Sequence, residues 1–522
     1  MPSYMYDRLS AQDNSFLVVE TDHVPMHVAA IGIYLTADLA GPHGGVDVRR
    51  FKRALEAQLH RIPRYRQKLK WVPIEQRPVW VDDEHFNIDY HVRHAALPQP
   101  GGVDELKKLT ARITTRQLDR TRPLWEMWLI EGLSEGRFAM VTKIHHCMVD
   151  GQSGADVAQI LMSPSPEHEP KEPRPFRPRP SPSGNELLWD AVQRRLTLPA
   201  KMLGELAQFR DQTDHLTQEV STRVKAVVDL ATWGLAPASG TPLNGPLGPH
   251  RRVDWLTLPL ADVKKVKDSL NCTVNDVVLG TVSGAVRQYL LHRGVNPDQI
   301  NFRVSTPVSV RKQEEQGKLG NRVSAWIISL PLDESDPLKW VSRVHEATTK
   351  LKENRQALAV DMVMAVAEYL PPSWMGLAAQ AASGPINMIV TNVAGPQFPL
   401  YLLGAELLEF HPLVPLMDGT GLGIALMSYD GKLHIGLNAD YEMVPDIGIL
   451  TALLAQAFMA ISDASLSEKP KKNESIKKKM KSSRTHSEEP PASVATPLSA
   501  VPSPEPTLVH SPSHSLNQSL KT

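Results

Sequence analysis

The sequence predicts an α/β protein of two lobes with mixed sheets, joined by a proline-rich crossover. Three observations carry that prediction. Strand-like and helix-like patterns alternate twice, once before residue 162 and again after residue 250. Between them prolines crowd residues 163–184 and 237–249, where neither helix nor ladder tolerates them. A chain of 522 residues also exceeds what one hydrophobic core accommodates. The expected organisation is an N-terminal lobe over 1–162 and a linker with amphipathic crossover helices over 163–249. A C-terminal lobe over 250–462 and a disordered tail over 463–522 follow.

Taken in order, Val48, Phe51, Leu55 and Leu59 recur at helical spacing, and Pro63 stops that helix. Residues 79–82 and 88–92 alternate like short strands. A helix is expected over 103–118, ending before Arg122-Pro123. Residues 124–130 form an aromatic, apolar strand that turns at 133–136 into a second strand from Phe138. Trp125 and Trp128 there suit core and cavity wall better than specific ligand contacts. Residues 185–233 read as amphipathic helix broken at Pro199. The second half gives strand 253–258, helices 261–270 and 274–293, strands 302–310 and 323–330, and helix 340–358. Strands 386–392, 421–429 and 432–438 follow, the last two joined by Asp430-Gly431 as a hairpin turn, and a helix over 446–461 ends the lobe.

Composition narrows the function. Lys plus Arg and Asp plus Glu both number 57, so no global charge argues for nucleic acid. Cys147 and Cys272 make no disulfide framework, which fits a reducing cytosol. The first residues lack a basic-then-apolar signal pattern, and no uninterrupted apolar run reaches the roughly 18 residues that span a bilayer. A cytoplasmic protein is expected, not secreted and without a transmembrane helix. Contact with anionic lipid headgroups is one reading of the basic cluster at 469–484, and a solvated tail is the other. Residues 357–382 or the helices over 185–233 offer a peripheral contact with a membrane or lipid droplet.

The stretch Lys143-Ile-His-His-Cys-Met-Val-Asp-Gly151 stands at the end of the strand from Phe138. Neighbouring strand residues point to opposite faces, so His145 and His146 cannot both face one substrate. One is free for chemistry and the other is left to hold structure. By the same alternation Cys147 turns away from His146 and suits apolar packing better than acyl-enzyme formation. Gly151 supplies the turn into a helix. His146 and Asp150 would share a face only on a helix, and no third ligand has suitable spacing, so no metal is expected. Phosphate-loop and dinucleotide fingerprints are missing too, and no cofactor is expected.

His-His-x-x-x-Asp-Gly resembles the signature of the coenzyme A-dependent acyltransferase superfamily. Leu9-Ser-Ala-Gln-Asp13, Pro25-Met-His-Val28, Pro78-Val-Trp-Val-Asp-Asp83, Asp89-Tyr-His-Val92 and Pro123-Leu-Trp125 narrow it. So do Asn275-Asp276, Pro307-Val-Ser-Val-Arg311, Gly320-Asn-Arg322 and Asn392-Val-Ala-Gly-Pro396, with Ala394 where proline is more usual. Together they resemble the bacterial wax ester synthase/diacylglycerol acyltransferase family over roughly residues 4–462. That resemblance implies two chloramphenicol acetyltransferase-like lobes with an active-site tunnel between them. It also implies transfer of a fatty acyl group from acyl-coenzyme A, as substrate, to diacylglycerol or a long-chain fatty alcohol.

The resemblance assigns His146 as general base and Asp150 as a loop-holding residue, with Arg311 a candidate partner. His145 is expected buried in support. Asn275, beside Asp276, is a candidate oxyanion donor or a helix N-cap. Pro123, Leu124 and Trp125 are expected along the tunnel wall. A groove for lipid chains is a second role for Met362, Met364, Met375 and Met388, core filling the first. Two other functions stay open: a non-catalytic lipid-binding or scaffold member of the fold, and a condensation-type enzyme using carrier-protein thioesters.

Overall fold

The computed structural model describes residues 6–148, 160–167, 172–196, 238–309, 323–353 and 386–467, apart from 43, 76 and 195. Asp150, Gly151, Arg311, Met362, Met364, Met375, the break at Pro199 and the basic cluster at 469–484 lie outside these residues.

Within the described residues the strands are β1 (Asp7–Arg8), β2 (His27–Leu35), β3 (Gln67–Trp71), β4 (Pro78–Asp82) and β5 (Val92–Ala96). Then come β6 (Trp125–Leu133), β7 (Arg137–His145), β8 (Arg251–Pro259), β9 (Phe302–Ser309) and β10 (Val323–Leu330). Last are β11 (Met388–Ala394), β12 (Tyr401–Leu402), β13 (Ala405–Leu413), β14 (Leu422–Tyr429) and β15 (Lys432–Asp440). They form a small sheet β1-β4-β3 and two six-stranded sheets, β12-β13-β2-β7-β6-β5 and β10-β9-β11-β14-β15-β8. Both large sheets are mixed: β5 runs parallel to β6, and β11 runs parallel to β9 and β14.

The first large sheet is not made from one half of the sequence. β13, inside the expected C-terminal lobe, pairs antiparallel with β2 from Leu407↔Tyr34 to Leu413↔Ala29. Residues 401–413 are therefore strands of the N-terminal sheet. Sequence patterning picked out neither β2 nor β13. β2 reads His-Val-Ala-Ala-Ile-Gly-Ile-Tyr-Leu, a near-continuous apolar run of the kind a doubly covered strand shows. β13 contains Pro412, a residue that argues against an interior strand. The proline is tolerated because β12 covers only the start of β13, at 405–406, and leaves its far side an edge.

Residues 88–92 are not one strand. Asn87 accepts a hydrogen bond from Asp89 N at 2.9 Å, which caps a helical turn over Ile88–His91, and the strand starts only at Val92. The last helix is longer than expected, Ile447–Ser467, so residues 463–467 belong to it rather than to the tail. It is long and apolar enough to cross a bilayer, yet Leu450, Leu454, Ala457, Phe458 and Ile461 are buried in the core of the second large sheet.

Side-chain alternation sets what each large sheet presents. On β14, Leu422, Ile424 and Leu426 pack into that helical core, as do Met388 and Val390 of β11. Met388 is thus core, not groove. Their sequence neighbours Ala425, Met427, Ile389, Thr391 and Val393 face the opposite way, into a cavity. On β7, Ala139 and Val141 pack towards the Val103–Thr115 helix, while Met140, Thr142 and Ile144 face the same cavity.

Candidate active site

The cavity holds about 480 Å³ and takes its walls from both large sheets. The N-terminal sheet contributes Val28, Ala30 and Tyr34 of β2, with Met26 just before it, and Met140, Thr142 and Ile144 of β7. The second sheet contributes Ser305 and Pro307 as well as β11 and β14. Phe410, Pro412 and Val414 close the side where β13 passes between the sheets. Gly436 of β15 sits where any Cβ would meet the Pro412 carbonyl at 2.0 Å, so glycine there lets the second sheet come up against β13.

His146 stands on this wall. β7 ends at His145, and His146 continues the cavity-facing set of Met140, Thr142 and Ile144. Its backbone N–H donates to Met26 O at 2.8 Å, and Met148 N–H donates to His145 O at 2.9 Å. These bonds hold the turn that presents the imidazole. The ring is half-buried and stacks on Phe16, with centroids 4.0 Å apart and planes at 13°. Phe16 lies on the Ala11–Val19 helix, which Ser10 caps by accepting from Asp13 N, and which also brings Gln12 and Ser15 to the cavity.

His145 faces the other way and is fully buried. Its Nδ1 accepts from Cys147 N–H at 3.1 Å, so the ring proton sits on Nε2, which lies 3.4 Å from Glu20 Oε2. His27, directly opposite His145 across β2 and β7, has Nε2 3.2 Å from Glu20 Oε1 and 3.4 Å from Leu118 N. One nitrogen cannot donate to the first and accept from the second; we assign the proton to the shorter, charge-assisted contact with Glu20. Glu20 also accepts from Met26 N at 3.0 Å and from Arg120 Nη2 at 2.7 Å. Burial pushes the Glu20 carboxyl up, but the hydrogen bonds from His145 and His27 outweigh it and hold the group far below the usual carboxylate range. Burial pushes His27 down to about 3, so this imidazole is neutral. Lys143, next on the same face, donates from Nζ to Ile113 O and Arg116 O and so caps the carbonyl end of the Val103–Thr115 helix.

Glu20 was invisible as a site residue because it ends a helix far from the histidines in sequence. The cross-strand register between His27 and His145 is what brings it beneath them. Cys147 is buried, and burial raises its thiol well above the ordinary value, leaving an inert packing group.

Two expected placements differ from what the fold allows. Pro123, Leu124 and Trp125 do not line the cavity. Trp125 pairs with Ile144 across β6 and β7 and so shares its face, but Tyr65 covers it. Its indole N–H donates to Tyr65 O at 2.8 Å, and its ring stacks on His91 at 4.4 Å. Tyr65, not the tryptophan, reaches the cavity.

Asn275 does not line it either. It sits in the first turn of the Val274–His292 helix, whose Val277, Val278 and Val282 pack on the sheet face turned away from the cavity. The N-cap is Thr273, not Asn275. Thr273 Oγ1 accepts from Asp276 N, and Asp276 accepts from Thr273 N at 2.9 Å. Asp276 also accepts from His345 Nδ1 and Thr348 Oγ1, each at 2.8 Å, tying this helix to Pro337–Glu353. Burial raises the Asp276 carboxyl, and these hydrogen bonds overcome that and lower it. Among the described residues, the polar side chains that the second sheet does bring to the cavity are Ser305, Thr391 and Asn392. Ala394, where the resemblance favours proline, lines it as well.

No group of three or more His, Cys, Asp or Glu side chains that could hold a metal occurs among the described residues.

The chain matches the family model described as the wax ester synthase/diacylglycerol acyltransferase catalytic domain over residues 9–278. It matches the model of the corresponding C-terminal domain over 319–462. A probable diacylglycerol O-acyltransferase of Mycobacterium tuberculosis H37Rv is 31% identical over 463 residues, covering 85% of this chain and 93% of that protein. A second from the same strain is 33% identical over 469 residues, with 88% and 99% covered. The solved wax ester synthase/diacylglycerol acyltransferase from Marinobacter aquaeolei VT8 superposes with a TM-score of 0.61 at 24% identity, covering 88% of this chain and 99% of that one. The first condensation domain of the CDA synthetase superposes at 0.54 with 15% identity, covering 88% and 97%. These two likenesses concern the fold.

Proposed function

The chain belongs to the wax ester synthase/diacylglycerol acyltransferase family, and from that premise we propose that it is an acyl-coenzyme A:alcohol O-acyltransferase with His146 as its general base. The acceptor would be the free hydroxyl of a diacylglycerol, as the names of the mycobacterial relatives suggest, or a long-chain fatty alcohol. The observation that carries the reading is one imidazole opening on an apolar cavity shared by two sheets, with a second imidazole buried behind it.

An alcohol is a poor nucleophile at neutral pH and must lose its proton as it attacks. Imidazole, titrating near neutrality, is suited to take it. The acceptor oxygen then adds to the thioester carbonyl, forming the C–O bond. Collapse of the tetrahedral centre breaks the C–S bond, and the imidazolium returns the proton to the departing sulfur. Ester and free coenzyme A thiol result, with no covalent enzyme intermediate. Apolar walls keep water from competing with the acceptor. Ser305, Thr391 and Asn392 offer hydrogen-bond donors to the oxyanion from within the same cavity.

The test supplies purified full-length protein with palmitoyl-coenzyme A and detergent-dispersed diolein or hexadecanol, and follows thiol release and ester product. Thiol release that depends on an acceptor is the expected result. Its absence with both acceptors would sink the proposal, and comparing the two rates identifies the acceptor.

A further inference from the structure

Beside the cavity of His146 lies a second space of about 300 Å³. Its floor is the apolar face of the Val48–Gln58 helix, where Phe51, Ala54 and Leu55 are all buried. Leu161 and Met162 line both spaces, so these two side chains form the wall between them, one side chain thick. On the cavity side the Tyr34 hydroxyl donates weakly to Met162 Sδ at 3.5 Å. A methionine is an unbranched partition with three rotatable bonds, able to swing aside at small cost. At the outer rim Arg61 donates to Gln58 at 3.2 Å, so the pocket passes from apolar floor to polar mouth.

Size gives this pocket a purpose. The cavity's volume of about 480 Å³ sits low in the roughly 300–1,000 Å³ that houses a single drug-sized ligand. A diacylglycerol and an acyl donor together bring three long chains to one imidazole. Each methylene left in water forgoes burial worth about fourfold in binding. We propose that the pocket on the Val48–Gln58 helix is an accessory compartment for the distal methylenes of a substrate acyl chain, entered past Met162. The assignment rests on the acyl-transfer reading above and adds to it where a chain end goes.

Two variants of the full-length protein test it. Ala54→Phe fills the compartment from the side remote from His146, and Met162→Ala removes the partition. kcat/KM is measured with octanoyl-, dodecanoyl- and hexadecanoyl-coenzyme A at fixed hexadecanol. It is measured again with octanol, dodecanol and hexadecanol at fixed hexadecanoyl-coenzyme A. Ala54→Phe should lower the ratio of long-chain to short-chain kcat/KM roughly ten- to twentyfold in one series, the effect of excluding two methylenes. The series that responds says whether the chain comes from donor or acceptor. Met162→Ala should move the same ratio the other way.

Equal loss at every length in both series overturns the proposal, and so do unchanged ratios. If Ala54→Phe does not fold, Met162→Ala decides alone, and an unaltered length profile overturns it. If the wild-type protein transfers no acyl group at all, the reaction reading fails while the compartment is still scored by binding. A fluorescent hexadecanoate should then bind Ala54→Phe about tenfold more weakly than wild type, whereas equal binding overturns the compartment.

Discussion

The end of β7 and the start of the Val274–His292 helix invite comparison. Each carries two adjacent residues from a short motif, His145-His146 and Asn275-Asp276, and each pair divides its labour. At the end of β7 one member is buried against Glu20 and its neighbour opens on the cavity. At the helix start one member is buried against Thr273, His345 and Thr348, and its neighbour does not line that cavity. On the function proposed above, the first pair joins architecture to chemistry, whereas the second serves architecture alone. A motif's legibility therefore says that its residues are constrained without saying by what.

The sharpest way to break that contrast is His146→Ala. Acyl transfer should fall by roughly two to four orders of magnitude, with melting temperature nearly unchanged, because the ring faces a cavity rather than filling a core. Thiol release and a thermal melt on the same sample check it, and retained turnover would leave the two regions equivalent. Next in size is Glu20→Gln, which keeps shape but removes the charge that fixes the His145 proton. We expect kcat to fall on the order of tenfold to a hundredfold with KM little altered, the scale of one charge-assisted hydrogen bond. A rise in KM alone would reduce Glu20 to a packing group.

Asp276→Ala should act on stability instead. It removes the capping box and leaves His345 and Thr348 without their acceptor, a loss of about 2 kcal/mol or more in urea unfolding. The fraction that remains folded should turn over at the wild-type rate. Acid should act in the same register. Burial pushes His27 and His434 down to about 3 and His91 down to about 4. Between those values and the unfolded value near 6.5, only the unfolded chain takes up these protons, so stability falls as pH drops through that window. A melting temperature several degrees lower at pH 5.5 than at pH 7.5 is the expected result. The smallest effect should be Asn275→Ala, with kcat within about twofold of wild type. A loss as large as that of His146→Ala would restore Asn275 as an oxyanion donor and overturn the comparison.

Much of the second sheet was legible because its elements obey local rules. The Asp430-Gly431 turn joins β14 and β15, with Asp430 and Gly431 both at positive φ, and the apolar spacing of 274–293 marks a buried helix. β7 and its two divergent histidines were legible for the same reason, since alternation on one strand is a local property. β13 was not, because its Pro412 is acceptable only where β12 leaves an edge exposed. Trp125 was misplaced because nothing near it in sequence announces that Tyr65 covers its ring.

By itself, then, the sequence determined the α/β class, that two neighbouring imidazoles point to opposite faces, and membership of an acyltransferase family. Those follow from periodicity and from motifs whose residues are neighbours along the chain. Only the tertiary structure decided that β13 crosses to the other sheet, that Glu20 lies beneath His27 and His145, and that Asn275 stands apart from the cavity. Each of those depends on register and on which face of a sheet a helix covers, relations between distant segments that no local pattern encodes.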